Sequence, residues 1–300
     1  MSWFYLALLA PLLYAIVTLL DDNLLRSVYK SPYLATTFTG FFGILPILSR
    51  LFIQAPAIPH TLVELSLVAG FLTVTYYFFY FRGLASDSPS IVIALFGLAP
   101  ATIPFFAHFI VHEQLLAAEI IGFVIVLLAS LGLAVTDIKQ LKLSKALVPV
   151  LIAVVLVDVI AIMTKYVYQR VDFYPAYMYF SVGMGLGGLF FLCLRLGDNL
   201  QGLRQIKINL KKLLPVFVAA ELLNLAAEFT LNLAISRGPV SLVKVLEGIQ
   251  PMFVLLIAFG LYPFWPKYFR EAGEGKLARK FLLMAVIISG LLVISFAAKA

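Results

Sequence analysis

The segment VKVLEGIQP, residues 243–251, places Lys244 and Glu247 three residues apart inside an apolar run from about Val240 to Phe264. A charge at the centre of a bilayer costs about 2.5–3.5 kcal/mol on insertion scales, so the two groups are expected to face each other and a shared polar interior rather than lipid. Upstream, Glu221, Asn224 and Glu228 fall at i, i+3 and i+7, with Asn232 one turn further, which makes a second polar stripe on one helical face. Glu228 stands about as far from the end of its segment as Glu247 does from the start of the next. A tight turn joins the two, so these carboxylates should meet at one depth. Asp158 and Lys165 occupy another apolar block. The candidate substrate-binding residues are therefore Lys244, Glu247, Glu228, Glu221, Asn224, Asp158 and Lys165. Lys244 or Lys165 would receive an anionic group, and a carboxylate such as Glu228 or Glu247 an amine or a coupling proton. An ion-pair network that only fixes helix register would use the same residue types.

The elements that must position these groups are membrane helices. Of 300 residues, 63% are apolar and 12% charged, and the mean hydropathy is +1.04, far from the balance of a soluble domain. Continuous apolar blocks of about 20 residues, each able to cross roughly 30 Å of hydrocarbon, exclude the alternating pattern of a β-barrel. Ten helices are expected, at about Trp3–Leu20, Pro32–Phe52, Thr61–Phe81, Pro89–Val111, Leu115–Val135, Ala146–Tyr168, Pro175–Leu194, Leu214–Ile235, Val240–Phe264 and Phe281–Ala298. The longest connections are DIKQLKLSK, RLGDNLQGLRQIKINLKK and PKYFREAGEGKLARK. The first block lacks a basic leader and a small-x-small cleavage site, so it is expected to be a retained helix rather than a secretory signal. The single cysteine, Cys193, cannot form an intramolecular disulfide. The net charge of +7 suits loops beside anionic lipid and calls for no nucleic-acid partner.

An internal repeat organises the ten segments. SIVIALFGLAP, residues 90–100, aligns without gaps to SLVKVLEGIQP, residues 241–251, sharing Ser90/Ser241, Val92/Val243, Leu95/Leu246, Gly97/Gly248 and Pro100/Pro251. Each copy lies in the fourth helix of a set of five. Five is odd, so a repeated second half must enter the membrane from the opposite side. The expected fold is all-α, with two five-helix inverted-topology repeats, residues 1–137 and 146–300, joined by a basic linker at 138–145. Pro100 and Pro251 each remove a helix hydrogen bond and predict kinks beside the site.

The run from Ala99 to Val135, with Pro100, Glu113, Gly122 and Gly132, resembles the fourth and fifth helices of the EamA-like family in the drug/metabolite transporter superfamily. Pro251, Glu271 and Gly290 resemble the matching region of the second half, and Glu113 to Gly132 has the same spacing as Glu271 to Gly290. Glu119 departs from a common Gln, and REAGEGKLARK replaces a tight turn. The resemblance implies a transporter in a cell or inner membrane, with cargo drawn from amino acids, sugars, nucleotide sugars or drugs. A small-molecule substrate and membrane lipid are the expected partners; a coupling proton or cation and a homodimer stay open.

Other chemistry is weaker. His108, His112 and Glu113 have a metal-like spacing without a third clear ligand, and are expected to be a polar boundary cluster. Asp21 and Asp22 are expected to reach water at the end of the first helix. Tyr76, Tyr77, Tyr80, Tyr174, Tyr177 and Tyr179 suit interface belts or cavity walls. GMGLGG, residues 183–188, follows no strand and is expected to serve close helix packing. No HExxH, catalytic aspartate pair or nucleophile elbow supports an enzyme, and no cofactor or metal motif appears; a membrane enzyme or a lipid-carrier-handling protein is the alternative, and a structural subunit a third. Connections after the odd-numbered helices hold sixteen Lys and Arg against five on the other side. The positive-inside rule then puts both termini outside, whereas the resemblance implies termini inside.

Overall fold

A computed structural model of the 300-residue chain describes residues 2–25, 29, 31–54, 56–86, 92, 95–96, 99–101, 103–134, 145–261 and 277–297. These residues are helical, with short turns and no strand among them. The helices are α1 Trp3–Leu24, α2 Pro32–Gly43, α3 His60–Ser86, α4 Ile103–Ile110, α5 Ala117–Ala134, α6 Leu147–Tyr168, α7 Phe173–Leu194, α8 Leu196–Arg237, α9 Val240–Glu247, α10 Gln250–Leu261 and α11 Leu277–Ala297. Six spans among the described residues are long and apolar enough to cross a membrane: Trp3–Asp21, Pro32–Leu51, His60–Ser86, Leu147–Tyr168, Phe173–Leu194 and Leu214–Arg237. Ala117–Ala129 and Leu282–Ile294 are shorter apolar helices. Most of the linker 138–145, Glu271 and the charged run after Phe264 lie outside the described residues.

Packing is arranged for lipid. On α6, Val148, Leu151, Ile152, Val155 and Val159 are exposed, while Val150, Ala153, Val154, Asp158 and Ala161 are buried. One apolar stripe of α6 thus points outward, and the opposite stripe, which carries Asp158, points inward, as expected where the surrounding medium is as apolar as the core. The main pairings are α1 with α8, α3 with α6 and with α7, α2 with α7, and α5 with α11. Two of them meet through reciprocal glycines. A Cβ on Gly40 of α2 would lie 2.5 Å from Cα of Gly188 on α7, and one on Gly122 of α5 would lie 3.0 Å from the carbonyl oxygen of Gly290 on α11. GMGLGG therefore serves close helix approach.

Three elements depart from expectation. The second predicted helix stops at Gly43 and continues as a 3-10 stretch, Leu45–Leu51. The polar run expected as the connection before helix eight is instead the start of α8, a continuous helix of 42 residues. Leu196, Leu200, Leu203, Ile206 and Leu210 recur there at three- and four-residue spacing, a helical period that outweighs the run's polarity. The predicted ninth helix is interrupted between Glu247 and Gln250, where Ile249 N–H bonds Leu246 O (3.2 Å) and Met252 N–H bonds Ile249 O (2.8 Å) in tightened turns. Pro251 then sits in the first turn of α10, where its missing N–H costs nothing. Much of the matching segment in the first half is not described, but residues Ala99–Ala101 form a 3-10 turn ahead of α4.

Candidate functional site

Four helices bring polar side chains to one place. Tyr14, Thr18 and Asp21 of α1 are spaced i, i+4 and i+7, one stripe on an otherwise apolar helix. Tyr76, Tyr77 and Tyr80 come from α3, Asn224 and Glu228 from α8, and Lys244 and Glu247 from the last turn of α9. Together with Phe96, Pro100, Val157, Gly248 and Gln250, all of these except Glu228 line a cavity of about 70 Å³. A smaller space of about 30 Å³ lies against Thr73, Thr164, Glu228 and Asn232, and shares Tyr14, Tyr76, Val157, Lys244 and Glu247 with the first. The Lys244–Glu247 pair thus lines both spaces.

The hydrogen bonds make Glu228 a hub. Its carboxylate accepts from Tyr14 Oη (2.8 Å), Tyr77 Oη (3.2 Å) and Asn232 Nδ2 (2.8 Å). Tyr77 also donates to Asn224 Oδ1 (2.9 Å), and Tyr168 to Asn232 Oδ1 (2.9 Å). Lys244, only 3% exposed, donates to Glu247 across one turn. Both charges of the opening motif are therefore met within α9, and Gln250 Nε2 donates to Thr18 Oγ1 at 2.9 Å to tie α10 to α1.

The remaining candidates are dispersed. Glu221 is buried and lines neither space, accepting from Tyr29 Oη (2.5 Å) and Thr39 Oγ1 (3.5 Å). Asp158 is buried in α6 and lines neither space. Lys165 does not join Lys244; its Nζ donates to the carbonyls of Ile235 (2.9 Å) and Gly238 (2.7 Å), closing the C-terminal end of α8. A cation at a helix C-terminus is favoured by the unpaired carbonyls there, a tertiary use that spacing along α6 does not reveal.

Asp21 is a correction of the opposite kind. It is buried, accepts from Tyr80 Oη (3.3 Å) and lines the larger cavity, because α1 runs a turn beyond its predicted end and carries Asp21 inside. The side chain of Asp22 lies outside the described residues. Tyr76, Tyr77 and Tyr80 are cavity walls. Tyr174 instead pairs with Ser49 (2.7 Å), Tyr177 is fully buried, and Tyr179 lies under Arg50. Sequence reasoning missed Tyr14, Thr18 and Gln250. The i, i+4, i+7 stripe was the available signal for the first two.

Glu113 has a structural task. Its carboxylate accepts from the backbone N–H of Val240 (2.6 Å) and Ser241 (3.1 Å), capping α9 from the segment between α4 and α5, while His108 Nδ1 lies 3.2 Å from its carbonyl oxygen. An anion at two free N–H groups of a helix start contributes about 1–2 kcal/mol. Glu113→Ala should lower the thermal midpoint of the purified protein accordingly, and Glu113→Gln, which keeps an acceptor, should lower it less. Equal midpoints for all three proteins would refute the capping role.

Among solved structures, one crystal structure superposes with a TM-score of 0.67 over 99% of this chain and 98% of its own, at 18% identity. The chain therefore shares that fold. Compared with the curated proteins, the sequence has no match. The model of the EamA-like transporter family matches residues 1–135. Together with its apolar helices, this match makes the chain an integral, multi-pass membrane protein. Over residues 1–135 the chain is thus similar to the EamA-like transporter family, which lies within the drug/metabolite transporter superfamily.

Proposed function

We propose that the chain is a secondary active transporter that moves a small polar or amphipathic metabolite across a cell membrane by alternating access. Ten membrane crossings fall in two inverted five-helix repeats, 1–137 and 146–300, linked by residues 138–145. The helix pairings support this symmetry. Exchanging the first and sixth helices of the repeat scheme, and the third and eighth, turns the α1–α8 contact into the α6–α3 contact and leaves α2–α7 and α5–α11 paired with each other. Pro100 lies in the 3-10 turn Ala99–Ala101, Pro251 lies just after the break between α9 and α10, and a Cβ on Gly248 would lie 3.3 Å from Cγ of Pro100.

The observation that carries the proposal is the cavity into which α1 and α3 on one side and α8, α9 and α10 on the other bring polar and charged side chains, within an apolar bundle. A site at the junction of two repeats can be exposed to either side in turn when they rock against each other. No ATP-binding motif is present, so the energy comes from a proton or cation gradient or from the substrate's own gradient. Membrane lipid surrounds the chain, and a homodimer is compatible with its exposed apolar faces.

The test is counterflow in proteoliposomes: vesicles preloaded with a metabolite mixture should take up at least one labelled component, and Lys244→Ala should lower that uptake at least tenfold. Vesicles that take up nothing beyond protein-free controls would remove the transporter assignment. Turnover of a solute in detergent, without uptake, would point to a membrane enzyme instead.

A further inference from the structure

We infer that the ligand of the larger cavity carries a positive charge on a compact organic ammonium group. The inference rests on reading the cavity as a transport site, and names the chemistry of what it takes.

Three charged residue types face this space: Lys244, Glu247 and Asp21. Lys244 and Glu247 are joined to each other across one helical turn, so neither charge is left for a ligand. Lys165, the other cation in the neighbouring apolar segments, is held by the carbonyls at the end of α8. An anionic group entering the cavity would find no uncommitted cation among the described residues. Asp21 differs. It is buried, its contact within the cavity is the hydroxyl of Tyr80, and no Lys, Arg or His pairs with it among the described residues. The lining has two carboxyl groups against one ammonium, so one carboxyl group, that of Asp21, is left without a cationic partner.

The walls reinforce that preference. Tyr14, Tyr76, Tyr77, Tyr80 and Phe96 all line the cavity. Tyr76 and Tyr80 each stand 6.0 Å from Phe96, centroid to centroid, and Tyr76 is 4.4 Å from Tyr77. Aromatic faces attract cations, strongly so where water is excluded, and a cluster of such rings beside one carboxylate is the arrangement that recognises an alkylammonium. A space of about 70 Å³ admits a small ammonium head.

Thermal stability of the purified full-length chain, at fixed ionic strength, tests this with four probes: methylammonium, tetramethylammonium, tert-butanol and acetate. At least one ammonium ion should raise the midpoint saturably, with no shift from the uncharged or anionic probe. Asp21→Asn should weaken that binding at least tenfold, and Asp21→Glu should retain part of it. Stabilisation by acetate, equal stabilisation by tert-butanol, no shift with either ammonium ion, or unchanged binding in Asp21→Asn would each overturn the inference. If Asp21→Asn does not fold, the wild-type probe series decides alone. Vesicle uptake separates the two levels. Ammonium binding without uptake of any solute leaves the charge inference standing and removes the transporter reading. Uptake of an anionic or uncharged solute with no ammonium binding does the reverse.

Discussion

Gly70→Val will abolish most of the folded, monodisperse protein, and Gly183→Val will do the same. A Cβ at Gly70 of α3 would lie 1.9 Å from the carbonyl oxygen of Phe180 on α7, and a Cβ at Gly183 of α7 would lie 2.1 Å from the carbonyl oxygen of Leu67 on α3. The atoms in the way are main chain, so no change of rotamer relieves the overlap. The two helices must separate along their length, and each loses the close contact that holds membrane helices together in the absence of a hydrophobic driving force. The cost is roughly 3 kcal/mol or more, the upper end of what overpacking incurs. Because α3 also carries Tyr76, Tyr77 and Tyr80, any molecule that did fold would have a displaced cavity wall. Gly197→Ala is the internal control, since nothing lies within 4 Å of the added methyl; it should be neutral or slightly stabilising in a helix. Fluorescence-detected size exclusion and thermal midpoints of the three variants measure this. A Gly70→Val protein with the wild-type profile would show that α3 and α7 are not packed main chain to main chain.

The parts of this architecture that were legible in the sequence share one physical cause: ionisable and amide groups are rare in apolar segments. Lys244, Glu247, Asn224 and Glu228 stood out against Val and Leu, and the energetic penalty for lipid exposure gave their direction. The same logic placed Lys165 and Glu221 with them, and failed, because the penalty says that a group must find polar partners without saying which. Lys165 found the carbonyls at the end of α8, and Glu221 found Tyr29 and Thr39. Asp21 was hidden for a different reason. A charge near a predicted helix end reads as solvated, and the extra turn of α1 that buries it follows from contacts with α8. Tyrosines are ambiguous in membrane sequences because they suit both interfaces and cavities, so Tyr14 gave no signal apart from its stripe with Thr18 and Asp21. Glu113 illustrates the last limit: its partners, Val240 and Ser241, are more than a hundred residues away.

Whether the Lys244–Glu247 pair serves transport or only fixes the register of α9 is decided by a double-mutant cycle. Lys244→Met leaves the Glu247 carboxylate in the cavity wall without its ion partner, and Glu247→Met leaves an ammonium that is 3% exposed. Glu247→Met should destabilise the protein by about 3–5 kcal/mol, because most of the loss is the residual uncompensated charge, and Lys244→Met by less, because the Glu247 side chain is 21% exposed. Lys244→Met/Glu247→Met removes both charges at similar volume, and should recover most of that stability, since apolar replacement of a complete buried pair is often neutral or better. The two roles then diverge in one protein. A pair that only sets register is dispensable once the double variant folds, and uptake by its proteoliposomes would match wild type. A pair that belongs to the translocation path is not replaceable by two thioethers, so the stable double variant should lose uptake at least tenfold. The second outcome is expected because Lys244 and Glu247 line both spaces, together with Tyr14, Tyr76 and Val157, so that a solute in either space meets them. Wild-type uptake by a stable double variant would refute it and leave the pair a packing element.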